Sequence, residues 1–112
     1  MSFTFRKDEA KGVVVLGVDG QLIVGNRHEL KQKVLDALDD GERKFLIDFT
    51  STGYIDSSGL GVLVSLSKKI REVSGELRLA GLNDDLRTLF ELTKLDSLFA
   101  INESAEEALA AF

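Results

Sequence analysis

The chain of 112 residues has no cysteine, no proline and no tryptophan, and its only histidine is His28. Without cysteine there is no disulfide, no thiol nucleophile and no thiolate ligand for zinc, and the composition fits a reducing compartment. With no proline, low-complexity tract or internal repeat, nothing reads as a linker, and residues 1–112 are expected to form one domain. Positive charge is also short. There are 14 basic against 19 acidic side chains, a net charge of −5. The basic residues are dispersed, and KKIR at 68–71 reads as the solvated face of a helix. A nucleic-acid surface needs a positive stripe, so no direct nucleic-acid partner is expected. No apolar run approaches the ~20 residues that span a bilayer. The start, MSFTFRKDEAKG, lacks the basic-then-apolar order of a secretory signal, so a cytoplasmic protein without membrane insertion is expected.

What is present is a regular alternation of two periodicities. SFTFRKDEAKG alternates and then turns, as an edge strand and hairpin do, and GVVVLGVD at 12–19 is a β-branched run bounded by Gly20. Asn26 with Glu29 forms a capping-box pattern ahead of Leu30, Val34 and Leu38, a helix that should end near Gly41. KFLIDF at 44–49 is too short for a helix and reads as a buried strand. From Ser57 to about Ser74, Leu60, Leu63, Val64, Ile70 and Val73 fall at helical spacing, with Gly75 just beyond. ELRLA at 76–80 alternates like a strand, Asn83 caps a helix carrying Leu86, Leu89 and Phe90, and LFAI at 98–101 is a last short strand. Ser104 with Glu107 caps a closing helix lined by Ala105, Ala108, Leu109 and Phe112. The order β-β-α-β-α-β-α-β-α predicts an α/β fold, a largely parallel sheet with helices packed on it and a hairpin at one edge.

In such a fold the site lies beyond the C-terminal ends of the strands. The loops Gly20–Asn26, Thr50–Ser58 and Ala80–Asp84 should converge there. The middle loop carries the most distinctive stretch, Gly53-Tyr-Ile-Asp-Ser-Ser-Gly-Leu-Gly61. It is not a nucleophile elbow, because Gly-x-Ser-x-Gly fails at both Ser57 and Ser58. It is not a Walker loop, and Val64 interrupts the dinucleotide fingerprint that Gly59 and Gly61 begin. His28, early in the first helix, is the single candidate base for Ser57, and Asp48, Asp56, Asp84 and Asp85 are the carboxylates that a metal would need. Asp at helix starts is explained more simply by the dipole and by capping. No residue set for catalysis emerges, and no cofactor is expected. Composition alone leaves Asp56-Ser57-Ser58 open as a helix cap or as an accessible hydroxyl on a first turn, with Gly59 and Gly61 thinning out the side chains around it.

The segment DFTSTGYIDSSGLGVLVSL, with GELRLAGL and LFELTKLDSLF downstream, resembles the STAS domain of bacterial anti-sigma factor antagonists from Gly12 onward. The family pattern is a strand with apolar-Asp-apolar, here Leu46 to Phe49, a short loop, then apolar-Asp-Ser-(Ser/Thr)-Gly-Leu-Gly opening a helix, here Ile55 to Gly61. The resemblance implies a STAS-like mixed β-sheet and a partner-switching regulator rather than an enzyme. Its first motif serine, Ser57 by position, would be phosphorylated by a serine kinase that is also an anti-sigma factor. A serine/threonine phosphatase would reset it. Asp56, Ser58, Gly59 and Gly61 would support the site, and Thr52, Gly53, Tyr54, Asn83 and Asp84 would form a docking surface, although Tyr54 also reads as a ring covering the sheet end. Where the family carries Gly-Glu-(Leu/Ile)-Asp, this chain has Gly20-Gln21-Leu22-Ile23, an apolar residue in place of an acid. The alternative the resemblance leaves is a non-switching scaffold, or an accessory subunit of a signalling or membrane transport complex.

Overall fold

Strands and helices alternate as the pattern predicts, with one strand added. The computed structural model describes residues 2–112. In chain order these are β1 (Ser2–Asp8), β2 (Val13–Leu22), α1 (Arg27–Asp39), β3 (Lys44–Asp48), β4 (Thr52–Ile55), α2 (Ser57–Glu72), β5 (Glu76–Ala80), α3 (Asp84–Leu92), a 3-10 turn (Leu95–Ser97), β6 (Ala100–Asn102) and α4 (Ala105–Ala111). The sheet runs β1-β2-β3-β5-β6, with β1 antiparallel to β2 and the rest parallel.

The run VVVL in β2 is apolar on both sides because both sides of the sheet are covered. Val14, Leu16, Val18, Phe45, Ile47 and Leu79 point to one face, where Leu30 and Val34 of α1, Leu63 and Leu66 of α2, and Phe90 of α3 close over them. The residues one step out of phase, Val13, Val15, Leu46 and Ala80, point to the other face, which Ala108 of α4 covers with Ala105, Leu109 and Phe112. A fully buried Leu or Phe contributes about 1.5–3 kcal/mol, so the broad face under α1, α2 and α3 carries most of the stability.

The added strand is a second partner for the far end of β2. Gly20 reads as the end of β2, but it takes φ +98° and the strand runs on to Leu22. Past its last β3 pair at Gly17, β2 pairs in parallel with β4 from Gly20 on, with a bulge at Gly53 of β4, which has no partner between Gly20 and Gln21. The stretch expected to be a loop, 50–58, is therefore half strand. The last strand likewise starts later than expected, at Ala100, because Leu95–Ser97 curls into the 3-10 turn and Phe99 drops into the core. On α2, Val64 and Val73 were expected inside but are 38% and 42% exposed. The inward stripe is Gly59, Leu63, Leu66 and Ile70. Ser57, Gly61, Val64 and Lys68, at i, i+4, i+7 and i+11, form the outward stripe.

The two motif glycines have opposite surroundings. A Cβ at Gly59 would meet the Leu22 carbonyl at 2.5 Å and Ile55 Cγ2 at 2.9 Å, while one at Gly61 would meet nothing within 4 Å. Gly59 is what lets the start of α2 seat against the end of β2. Gly61→Ala should raise stability by about 0.5–1 kcal/mol through helix propensity, and Gly59→Ala should lower it by about 1–3 kcal/mol through overpacking. Urea midpoints of the two variants test this, and equal shifts would contradict it.

Candidate functional site

The end of β2, the start of α2 and the turn before α3 meet as expected, and one carboxylate does most of the joining. Asp56 caps α2 in an extended conformation, φ −89° and ψ 179°, and the Gly59 N–H donates to its Oδ1 at 2.8 Å. The Val24 N–H, from the loop after β2, donates to Oδ2 at 3.1 Å. The Asp56 N–H donates to the Leu22 carbonyl at 3.1 Å. Asp56 thereby ties the loop after β2 to the start of α2.

The loop after β2 is held from its other end by Asn26. The capping-box expectation fails here: Asn26 makes no side-chain cap to α1. Its Oδ1 instead accepts from the Ile23 N–H at 2.8 Å, and its Nδ2 donates to the Gln21 carbonyl at 2.8 Å. With φ −132° and ψ −1° it lacks the extended backbone that Asp56 and Asn83 use to cap. Backbone amides of Ile23 and Val24 are thus tied down, and the Ile23 side chain carries none of that restraint.

Ser57 is the first residue of α2 and is exposed. Beside it an open groove of about 490 Å³ runs between β4, α2 and α3, lined by Tyr54, Ile55, Leu60, Leu86 and Leu89 with Asp85 at its edge. Tyr54 does not cover the sheet end; it is 56% exposed, because Thr52 and Ile55 take the inward positions of β4. Val24, held by Asp56, is 59% exposed. Ser57 is therefore an exposed residue at the side of this groove, next to the exposed Tyr54 ring.

Ser58 is half-buried and turns the other way, into a separate cleft against α1 that also contains His28. His28 thus lies on the Ser58 side. With both Asp56 oxygens taken by backbone amides, no Asp-His-Ser relay is assembled around Ser57. The four aspartates weighed as metal ligands are likewise dispersed. The Asp48 Oδ1 accepts from the Thr50 N–H and hydroxyl, and Asp84 and Asp85 sit in the first turn of α3. Among the described residues no three acidic or histidine side chains cluster.

One member of the expected docking surface is corrected. Thr52 is buried, 3% exposed, with its hydroxyl donating to the Val18 carbonyl at 2.6 Å, so it is an internal strut between β4 and β2. Gly53 and Asp84 are exposed as expected. Asn83 is exposed, but its side chain is committed: its Oδ1 accepts from the Leu86 N–H at 2.8 Å and its Nδ2 donates to the Thr52 carbonyl at 3.4 Å. Sequence reasoning missed Val24 and Asp85 as parts of this surface. An apolar valine in a glycine-flanked loop was the available signal for the first. In sequence Asp85 reads as a helix-start acid and as one of the four metal-ligand candidates.

A mixed sheet whose second strand takes a bulged fourth strand at its end, covered by three helices on one face and one on the other, and an exposed serine on a carboxylate-capped helix define the class. Residues 4–108 match the STAS domain family, and the chain belongs to it. A Bordetella bronchiseptica protein named as a candidate anti-sigma factor antagonist, BtrV, is 33% identical over 94% of this chain and 90% of its own. The anti-sigma-B factor antagonist of Staphylococcus aureus is 34% identical over 80% of this chain and 82% of its own. Among solved structures, a candidate anti-sigma factor antagonist from Thermotoga maritima superposes with a TM-score of 0.90 at 29% identity, over 97% of this chain and 92% of that one. The anti-sigma factor antagonist SpoIIAA, solved unphosphorylated and phosphorylated, shares the fold at TM-scores of 0.77 and 0.76 and identities of 19% and 21%, each over 98% of this chain and over 96% and 98% of its own. These relatives are regulators, and no described helix of this chain is long and apolar enough to cross a membrane.

Because Asp56 serves two amides, Asp56→Ala should cost about 1–2 kcal/mol and accelerate exchange of the Val24 amide proton. Asp56→Asn keeps the cap oxygen but turns an NH2 toward the Val24 N–H, so it should restore only part of the loss. Unchanged exchange at Val24 in Asp56→Ala would show that the loop does not depend on this bond.

Proposed function

We propose that this chain is an anti-sigma factor antagonist that works by partner switching, with Ser57 as the phosphoacceptor. The observation that carries the reading is the exposed Ser57 on the first turn of α2, beside an open, mainly apolar groove that the exposed Tyr54 also lines. Unmodified, this surface docks on an anti-sigma factor that is also a serine kinase, and the sigma factor is released. The kinase transfers the γ-phosphoryl of ATP to Ser57 Oγ. ADP leaves, and the hydroxyl proton passes to a base on the kinase. A serine/threonine phosphatase hydrolyses the ester and resets the switch, in the cytoplasm where sigma factors act.

The physics of the switch lies in desolvation. A phosphate adds about −1.5 to −2 charges at neutral pH. The helix N-terminus tolerates that charge, so the fold is kept. SpoIIAA, which has the same fold, is known in both forms, and this supports the same expectation for this chain. A dianion at the centre of an apolar contact cannot be stripped of water cheaply. A loss of roughly 3–4 kcal/mol weakens binding several hundredfold.

Peptide mapping of the protein from its native cells should find phosphate on Ser57 at an occupancy that changes with growth and stress. Ser57→Ala should keep the fold and the kinase complex and abolish incorporation, and Ser57→Asp should weaken the complex in part. Undiminished incorporation in Ser57→Ala would move the acceptor elsewhere. Ile23, in place of the family's acid, favours the second reading, a non-switching scaffold or transport accessory. If Ile23 limits the kinase reaction, Ile23→Asp should raise the phosphorylation rate; absence of phosphate in every condition would favour the scaffold.

A further inference from the structure

The cleft on the Ser58 side is built in a way that folding alone does not reward. Arg27 and Lys31 stand at i and i+4 on one face of α1, with His28 beside Arg27, and all three line the cleft. Two like charges at that spacing repel each other. Arg27, the first residue of α1, also faces the positive end of the helix dipole, which Glu29 in the same turn offsets only in part. None of the three forms an ion pair among the described residues, although the chain carries 19 acidic side chains. From the opposite wall α2 contributes Ser58, Ser65 and Gly61, and beyond Gly61 the space is open. The cleft measures about 270 Å³. Two local rules broken on one helix face, at a concave site, point to a ligand rather than to stability.

We infer that the cleft between α1 and α2 is a phosphate-binding site, taking a phosphomonoester dianion that is either esterified to Ser58 or carried on a free ligand. The donor set suits that group. A guanidinium supplies paired N–H donors, an ammonium a point charge, an imidazole a further donor, and two hydroxyls complete the wall. A tetrahedral dianion has three oxygens to satisfy and uses more of these donors than a carboxylate does. The adjacent serines thus open on surroundings of opposite sign: Asp85 edges the groove of Ser57, and Arg27, His28 and Lys31 line the cleft of Ser58. The ester on Ser58 would form by transfer of the γ-phosphoryl of a nucleoside triphosphate to Oγ, with the diphosphate leaving and the hydroxyl proton passing to the kinase. The inference stands independently of phosphorylation at Ser57.

The test is a titration of the full chain with inorganic phosphate at constant ionic strength, with chloride as the compensating anion, followed by amide chemical shifts. Saturable shifts are expected at residues 27–31 and 58–65, with Kd on the order of 1 mM and at least about tenfold weaker in the double variant Arg27→Ala/Lys31→Ala. A second arm places phosphoserine by Ser58→phosphoserine, with Ser57→phosphoserine as control. If the ester on Ser58 is the occupant, its phosphorus resonance moves when Arg27 and Lys31 are replaced, the control resonance does not, and added phosphate no longer shifts the cleft amides. Binding of free phosphate together with a position-58 resonance indifferent to both cations assigns the cleft to a free phosphorylated ligand. Shifts no different from those of chloride, with an indifferent resonance at 58, overturn the proposal. If Ser58→phosphoserine unfolds the chain, the free-phosphate titration alone decides.

Discussion

The functional end of this protein depends on a carboxylate shared between two backbone amides that belong to different segments. Asp56 accepts from Gly59 inside its own helix and from Val24 across the loop after β2. The first bond fixes where α2 begins, and with it the position of Ser57. The second fixes the loop that flanks Ser57. Asp56 thus uses an acceptor site of each oxygen to build the surface that carries Ser57. Gly59 is the steric counterpart: without a side chain there, α2 reaches the Leu22 carbonyl closely enough for the Asp56 N–H to bond to it.

Around this clamp the side chains are sorted by polarity more sharply than a net charge of −5 suggests. On the α3 side lie Tyr54, Leu86, Leu89 and Asp85, and on the α1 side lie Arg27, His28 and Lys31. Two hydroxyls one residue apart can do different work because a helix turns about 100° per residue. At Ser57 a negative charge meets apolar groups and a carboxylate, and its effect falls on whatever docks there. At Ser58 the same charge meets cations of its own chain.

Much of the fold was legible because each element declares its period. The short apolar run KFLIDF marks a buried strand, and Ser104 and Asn83 cap their helices as the spacing implied. The errors cluster at residues whose behaviour is decided by a neighbour distant in sequence. Gly20 reads locally as a strand end, yet a parallel partner about thirty residues on, Thr52 of β4, carries the strand through it. Asn26 with Glu29 reads as a capping box, yet the loop before it claims the Asn26 side chain. Thr52 reads as a surface hydroxyl, yet β4 buries it against Val18. In the site itself, the motif gave Asp56 and the serine pair, but two readings of local sequence could not show that its serines face different walls.

Ile23 gains meaning from the same geometry. The loop it belongs to is held through the backbone amides of Ile23 and Val24, by Asn26 and Asp56. The side chain at position 23 is thereby released from shaping the loop, and an acid is not needed there for structure. A half-buried Ile23 next to an exposed Val24 leaves an apolar pair in this loop, where the family pattern carries an acid. Docking there would draw on removal of water rather than on ion pairs, and would respond little to salt. On the partner-switching reading, a kinase that pairs a basic group with the family's acid would lose that ion pair here, and the same loss is what favours the non-switching reading.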